Sequence, residues 1–348
     1  MLFLRNHWYV AAQLSELDAS PVGRRILSEG IVVYRQRDGA LGALEDACSH
    51  RRAPLSKGKV VRDGLQCGYH GMIYGTDGKC RFVPSQDKIP PTARVRAYPV
   101  AEKYGYAWVW PGDPALADMT LLPDIADHTF VDGWGHVYGC HNIAAYYELL
   151  TDNLLDLTHV KFVHASTLGH EGIDTSRAEI STEGDAVRST MFMADQVPAP
   201  LFQSLSGTSG KKMDFWTEML WRAPACMFLE TGVGEVGAPR QEGVALCSTH
   251  FLTPETETTT HYFWQVGRNK LLDVEGLDDN LYIQLRGAFD EDKRMLESQQ
   301  RVLGHHDIRS VRAASLRQDL GASRCRMVIE KMSREENRAA AGAEPGER

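Results

Sequence analysis

No stretch of the chain comes near the ~18 consecutive apolar residues that a membrane-spanning helix requires. The N-terminus "MLFLRNHWYV" also lacks the basic, apolar and small-residue layout of a secretion signal. Basic residues are in deficit: 38 Lys and Arg face 46 Asp and Glu, for a formal net charge of −8. With no basic stripe to interrupt that balance, nucleic acid finds no electrostatic footprint. Cysteine is sparse, seven residues at irregular spacing, and an odd count is no disulfide framework. Free thiols belong to a reducing compartment. These absences point to a cytoplasmic protein that binds neither membrane nor nucleic acid.

What remains is the composition of a globular protein, 348 residues of which 43% are hydrophobic, enough for one large domain or two ordinary ones. From residue 24 to 110 short apolar runs alternate with turn signals, among them Asp38-Gly39 and Asp77-Gly78. Tyr106, Trp108 and Trp110 alternate along a strand that halts at "PGDP". Downstream the pattern changes to a helix over 142–164, strands over 176–266 and a long helix over 278–303. One hairpin is explicit there: "GVALCSTHFL", the turn "TPETE", then "TTTHYFWQV". Strands followed by helices predict an antiparallel α+β domain rather than a βαβ succession. The expected division is residues 1–115 as a small all-β domain, 116–332 as a larger antiparallel-sheet domain, and 333–348 as a polar, disordered tail.

The all-β part carries Cys48-x-His50 and, sixteen residues on, Cys67-x2-His70. Two thiolates and two imidazoles suit zinc, but a Cys2His2 finger groups its Cys in one knuckle and its His in another. Here each prong holds one of each. A Rieske [2Fe–2S] cluster takes two thiolates on one iron and two imidazoles on the other, so two loops side by side can each give one Cys inward and one His outward. The spacing suits that cluster better than a structural zinc ribbon, with Gly68 and Gly71 letting backbone N–H groups approach the sulfides.

A one-electron carrier implies an acceptor, and "NLLDLTHVKFVH" offers one. Asn153, Asp156 and His159 advance by three and share a helical face, whereas His164 lies about 140° off it on an ideal helix. Both His can meet one metal only if the helix bends, bulges or ends between them, and the irregularity is expected around Lys161–Val163. A 2-His-1-carboxylate site on non-haem iron needs a third ligand. In the helix over 278–303 the apolar stripe runs through Leu281, Leu285, Ala288, Phe289, Met295, Leu296, Val302 and Leu303. Asp292 falls on it, while Asp290 and Glu291 fall outside. A carboxylate on an apolar face costs several kcal/mol unless paired or metal-bound, so Asp292 is the expected ligand. Taken singly, each of these three would read as an ordinary core histidine or ion-pair partner; their coexistence with the upstream motif favours iron.

With these residues in hand, the chain resembles the Rieske non-haem iron oxygenases, in the vanillate O-demethylase and dicamba monooxygenase branch. The likeness runs through "FLRNHWYVAA", the cluster motif, "WPGDPALAD", "DNLLDLTHVKFVH", "HFLTPETETTTHYFW" and "EDKRMLESQQ". The resemblance implies a helix-grip catalytic domain after the Rieske domain, with Cys48, His50, Cys67 and His70 as cluster ligands and His159, His164 and Asp292 as ligands of a mononuclear Fe(II). It implies that Asp156 bridges the cluster of one subunit to the iron of its neighbour in a homotrimer, with Asn153 near the iron. Asp156 would accept from the neighbour's His70 and from the second ring nitrogen of His159. O2 would be the cosubstrate, and NAD(P)H would act through a separate flavin/iron–sulfur reductase, since no Gly-rich dinucleotide loop is present. The implied activity is oxygen insertion into a small aromatic substrate, as O-demethylation of a methoxybenzoate-like aryl methyl ether; the alternative is cis-dihydroxylation of an aromatic ring. Met72 stands where the family often has Trp. His250, Leu229 and Ile283 are the candidate substrate contacts, His250 because it shares strand parity with Val244, Leu246 and Leu252.

Overall fold

The computed structural model describes residues 2–342 apart from 19, 85, 126–132, 166, 167, 170–172, 174 and 175. The chain divides into two compact units, Arg5–Leu122 with Thr253–Glu257, and Met1–Leu4 with Pro123–Leu252 and Thr258–Arg348. The first unit therefore closes at Leu122 rather than at 115, and each unit takes one short segment from the other's stretch of sequence.

The first unit is built of three small antiparallel sheets. One sheet joins β1 (Tyr9–Gln13), β9 (Val100–Lys103) and β10 (Tyr106–Val109) in the order β1-β10-β9. The second is β2 (Val22–Ile26), β3 (Glu29–Arg35) and β4 (Leu41–Glu45). The third is β5 (Lys59–Val61), β6 (Gly64–Gln66), β7 (Ile73–Tyr74) and β8 (Cys80–Phe82). Asp38-Gly39 turns β3 into β4 and Asp77-Gly78 turns β7 into β8; both glycines have positive φ, +91° and +75°, which a side chain would oppose.

The second unit is a seven-stranded antiparallel sheet with helices on one face. Its strands are β11 (Gly135–Ile143), β12 (Glu179–Glu183), β13 (Ala186–Gln196), β14 (Met213–Arg222), β15 (Cys226–Gly234), β16 (Val244–Pro254) and β17 (Thr260–Arg268). They lie in the order β11-β17-β16-β15-β14-β13-β12, so all but the first follow a meander. The helices are α1 (Tyr147–Leu155), α2 (Val160–Val163), α3 (Pro200–Ser206), α4 (Leu277–Leu303) and α5 (Leu320–Gly342). α4 packs along β11, and α5 packs on β12, β13 and α1. The core between sheet and helices includes Leu150, Met219, Trp221, Trp264, Leu285 and Ile329. No helix among the described residues is long and apolar enough to cross a membrane.

Three expectations are corrected. Residues 142 and 143 end β11, and the helix starts only at Tyr147, because the β-branched Ile143 and its neighbours pair with Thr260 and His261. The polar segment from 333 is helical to Gly342, because Arg, Glu and Ala are good helix formers and α5 is anchored upstream by buried Cys325, Val328 and Ile329; residues 343–348 lie outside the described residues. Met295 and Val302 are exposed, at 55% and 91%, and buried Gln300 occupies the stripe instead. Gln300 accepts from the Tyr146 amide (2.8 Å) and donates to the Gly304 carbonyl (2.6 Å).

A charge lattice locks α1 to the C-terminal region. Glu148, 3% exposed, accepts two bonds from Arg309 Nη2, each 2.6 Å, and Arg309 also reaches Glu330 (3.0 Å) and Asp307 (3.1 Å). Arg326 pairs with Asp152 one turn further on. Removing one member of a buried pair leaves an uncompensated charge. Arg309→Met is expected to destabilise the protein by about 3 kcal/mol, measured by denaturant unfolding, with Glu148→Gln in the same background recovering part of the loss.

Candidate metal centres

In the first unit, two loops of similar construction present the Cys48-x-His50 and Cys67-x2-His70 prongs. Residues 48–53 follow β4 and fold back on Cys48, whose amide donates to the Ala53 carbonyl (2.9 Å) and whose carbonyl accepts from Arg52 (2.8 Å). Residues 67–72 join β6 to β7 and repeat the device: Cys67 N donates to Met72 O (2.8 Å), and Gly71 N to Cys67 O (3.1 Å). The loops bury both thiols, at 2% exposure, and leave both imidazoles exposed. The His50 and His70 rings sit edge-on, 4.6 Å apart. Cys48 is close enough to Cys67 to raise its thiol pKa, a smaller cause than burial. His70 is held below its ordinary value by desolvation and by neighbouring His50 and Arg51.

The pairing bears on which group these residues fit. Among the described residues, only His159, His164 and Asp292 bring three ligand atoms within 4.8 Å of one another. The four motif residues therefore do not converge on one point, as a tetrahedral zinc site requires. They present two thiols at one depth and two imidazoles at another, the donor set of a two-iron Rieske cluster. Tyr74 adds a hydroxyl 3.1 Å from Cys48 Sγ and 2.9 Å from Ser49 Oγ. Two glycines shape the second loop. Gly71 is required by φ +74°, and a Cβ on Gly68 would lie 2.6 Å from the Lys57 carbonyl.

In the second unit, α1 stops at Leu155 because Asp156 leaves helical geometry (φ −100°, ψ 96°). Asp156 then caps a single 3₁₀ turn, Leu157–His159. Its Oδ1 accepts from Thr158 N (2.8 Å) and Thr158 Oγ1 (2.6 Å). α2 is one turn long and ends at His164, where φ −108° and ψ 31° depart from the helix. The irregularity thus falls on Asp156–His159 and at His164 rather than at Lys161–Val163. A 3₁₀ turn advances about 120° per residue instead of about 100°, and the two His are gathered from the two ends of α2.

His159 Nε2 lies 3.4 Å and His164 Nε2 3.1 Å from the same oxygen, Asp292 Oδ1, which also accepts from Asn153 Nδ2 (3.0 Å). His164 is 2% and Asp292 7% exposed. Burial opposes ionisation of Asp292, but hydrogen bonds from His159 and His164 outweigh it and hold the carboxyl well below its ordinary range. Burial likewise works against protonated His164, yet Asp292 and Glu291 hold it above its ordinary value. A buried carboxylate against two imidazole nitrogens calls for a cation at their centre, and these donors match the 2-His-1-carboxylate set of non-haem iron.

The outer nitrogens of both rings are fixed. His164 Nδ1 donates to Glu291 Oε2 (2.8 Å), and His159 Nδ1 donates to the Asp156 main-chain carbonyl. That turns each Nε2 lone pair inward. The partner of His159 is therefore the backbone of Asp156 and not its carboxylate, because the 3₁₀ turn directs the carboxylate to Thr158. Glu291 lies outside the apolar stripe of its helix and supports the site through His164 Nδ1. The signal for it was its position beside Asp292, where a metal-binding His needs an acceptor for its second N–H.

The candidate substrate contacts separate. His250 is buried (2% exposed) and faces inward, but its ring nitrogens meet Ser248 Oγ (2.9 Å) and Tyr262 Oη (2.7 Å). Leu229 is partly buried on the same sheet face, opposite Ser248. Ile283 is 65% exposed on α4 and lines no cavity among those described; it lies two residues from buried Leu285, about 200° round the helix.

A sheet-and-helix unit holding an oxygen-activating donor set, joined to an all-β unit with a Rieske donor set, defines the class of iron–sulfur oxygenase components, which are oxidoreductases. Residues 143–335 match the vanillate O-demethylase oxygenase C-terminal domain family, and residues 7–99 the Rieske [2Fe-2S] domain. The chain is 36% identical to the vanillate O-demethylase oxygenase subunit of a Pseudomonas strain, over 98% of each chain. It is 34% identical to a putative toluene-4-sulfonate monooxygenase system iron–sulfur subunit of Comamonas testosteroni, over 97% of this chain and 99% of that one. The crystal structure of dicamba monooxygenase bound to 3,6-dichlorosalicylic acid superposes with a TM-score of 0.91 at 34% identity, covering 97% of this chain and 99% of the other. The chain belongs to the vanillate O-demethylase family of Rieske oxygenase components.

Proposed function

We propose that the protein is the oxygenase component of a multicomponent system that O-demethylates a methoxybenzoate-like aryl methyl ether. The observation that carries this reading is the convergence of His159, His164 and Asp292 on one point in a chain that also bears the paired Cys and His loops. The overall reaction consumes the ether, O2 and two reducing equivalents with two protons, and yields the phenol, formaldehyde and water. Hydroxylation of the methyl carbon gives a hemiacetal, whose C–O bond breaks to release formaldehyde.

Cys48, His50, Cys67 and His70 hold the [2Fe–2S] cluster, and His159, His164 and Asp292 hold the iron. When bound, these groups supply single electrons and O2 activation respectively. The chain's own side chains do the rest. Glu291 and the Asp156 carbonyl fix the tautomers of His164 and His159, and Asn153 steadies the Asp292 carboxylate. The exposed edge of His70 suits it to face a second subunit. Asp156 keeps one carboxylate oxygen on Thr158 and leaves the other to accept from the partner subunit's His70. That bridge requires a head-to-tail ring, and a homotrimer is the oligomer proposed. Electrons come from NAD(P)H through a separate flavin/iron–sulfur reductase, and the system works in the cytoplasm.

A panel of methoxybenzoates, supplied with NADH and a surrogate reductase and assayed for formaldehyde, tests the reading. Formaldehyde and phenol in equal amounts are expected from at least one member. A cis-diol without formaldehyde would convert the assignment to a ring-dihydroxylating oxygenase.

A further inference from the structure

The acidic balance of the chain is reversed in one place. Residues 48–97 hold ten Lys and Arg against three Asp, a charge of +7 within a chain of −8. All ten cations are exposed. They form no stripe in sequence, and it is the fold that gathers three of them around the two imidazoles of the first unit. Arg51 adjoins His50 and is near enough to His70 to act on its charge. The Lys57 carbonyl lies against Gly68, in the loop that carries His70. Lys88 belongs to the segment from Gln86 to Ala93, tied down where the Cys80 amide donates to the Ala93 carbonyl (3.0 Å). That segment and Met72 wall a groove of about 380 Å³, and His50 and His70 line it as well. Arg52, Lys79, Arg81 and Arg96 are taken up by ion pairs with Glu45, Asp77 and Glu29. Arg51, Lys57 and Lys88 have no ion-pair partner among the described residues. Apolar side chains interrupt the charge: Tyr69 is 61% exposed with its ring centroid 3.8 Å from that of His70, and Ile89 is 40% exposed.

We propose that this face is the landing site of the reductase's iron–sulfur domain, that the domain presents an acidic surface to Arg51, Lys57 and Lys88, and that His50 is the imidazole it meets. His70 is given to the partner subunit by the bridge proposed above, which leaves His50 to the donor. The inference rests on the reading that a separate reductase supplies the electrons. Redox encounters bury little area and are short-lived, so their rate depends on charge that steers the two proteins together. An acidic partner is repelled by the chain as a whole and attracted by this face. Within the ring of charge, an exposed tyrosine beside an arginine is the pairing that anchors interfaces. Each encounter oxidises the donor by one electron and reduces the oxygenase by one, so the two reducing equivalents of a turnover take two encounters.

The probe is an acidic plant-type [2Fe–2S] ferredoxin, applied to wild-type and Lys57→Glu/Lys88→Glu holoenzymes. Binding of the oxidised ferredoxin is measured by calorimetry, and reduction of the oxygenase by the reduced ferredoxin is followed in the visible spectrum. Wild type is expected to bind and to be reduced at least about tenfold less well at 0.5 M than at 0.05 M salt. The double variant should be at least about tenfold weaker and slower than wild type at low salt and within about twofold of it at high salt. Reduced lumiflavin, a small uncharged reductant, should reduce both proteins at rates within about twofold. Indifference of wild type to salt, a variant that matches wild type at low salt, or equal slowing with lumiflavin overturns the inference. So does loss of the native assembly of the variant in light scattering, which would give the face to a second copy of the chain. No aryl ether enters these mixtures, so failure of the demethylase reading would leave their outcome untouched.

Discussion

Asp292→Ala is expected to yield a folded protein that keeps its iron–sulfur spectrum, loses its mononuclear iron and releases formaldehyde at least ~10³-fold more slowly. Asp292 Oδ1 is the one atom that faces His159, His164 and Asn153 together. Truncation leaves two imidazoles with no anion between them, and His164 loses a main reason for its raised pKa. Glu291→Gln separates the ligand from its support. An amide still accepts from His164 Nδ1 but carries no charge, so iron affinity is expected to fall by about 10–100-fold rather than vanish. Metal analysis beside the visible spectrum reads both variants. Full iron content and turnover in Asp292→Ala would remove Asp292 from the site.

Asp156→Asn should be about a hundredfold slower in coupled turnover while retaining both metal centres and normal reduction of the cluster by the reductase. The substitution is informative because of the cap. Asparagine is as good a cap as aspartate, and its amide oxygen can accept from Thr158 N and Thr158 Oγ1 as Asp156 Oδ1 does. The 3₁₀ turn, and with it the approach of His159, is therefore preserved while the negative charge is lost. Turnover within about twofold of wild type would show that Asp156 is only a cap and that electrons reach the second unit by another path.

The parts of this molecule that were legible in sequence are those where a residue contradicts its local pattern. Asp292 stands out because charge does not belong on an apolar stripe. The motif Cys48-x-His50…Cys67-x2-His70 stands out because its mixed prongs fit one cofactor better than another. The β16–β17 hairpin and α4 were visible from periodicity and turn residues. Features that depend on a satisfied partner were hidden. Gln300 looks like a surface residue until its amide is seen spanning Tyr146 and Gly304, and its burial displaced Val302 from the stripe. The spacing puts Asp156 on one helical face with Asn153 and His159, whereas it is the cap that ends one helix and starts the next turn. His250 could be placed on the inner face by parity, but the engagement of both its nitrogens by Ser248 and Tyr262 is a tertiary fact.

Glu291 and Asp292 are adjacent residues of one helix that grip the same imidazole from opposite sides, Glu291 at Nδ1 and Asp292 at Nε2 of His164. The azimuth of α4 is thereby keyed to that ring as by a two-pronged plug. A rotation that withdrew one prong would withdraw the other, so drift or insertion along α4 disconnects the centre outright instead of detuning it by degrees.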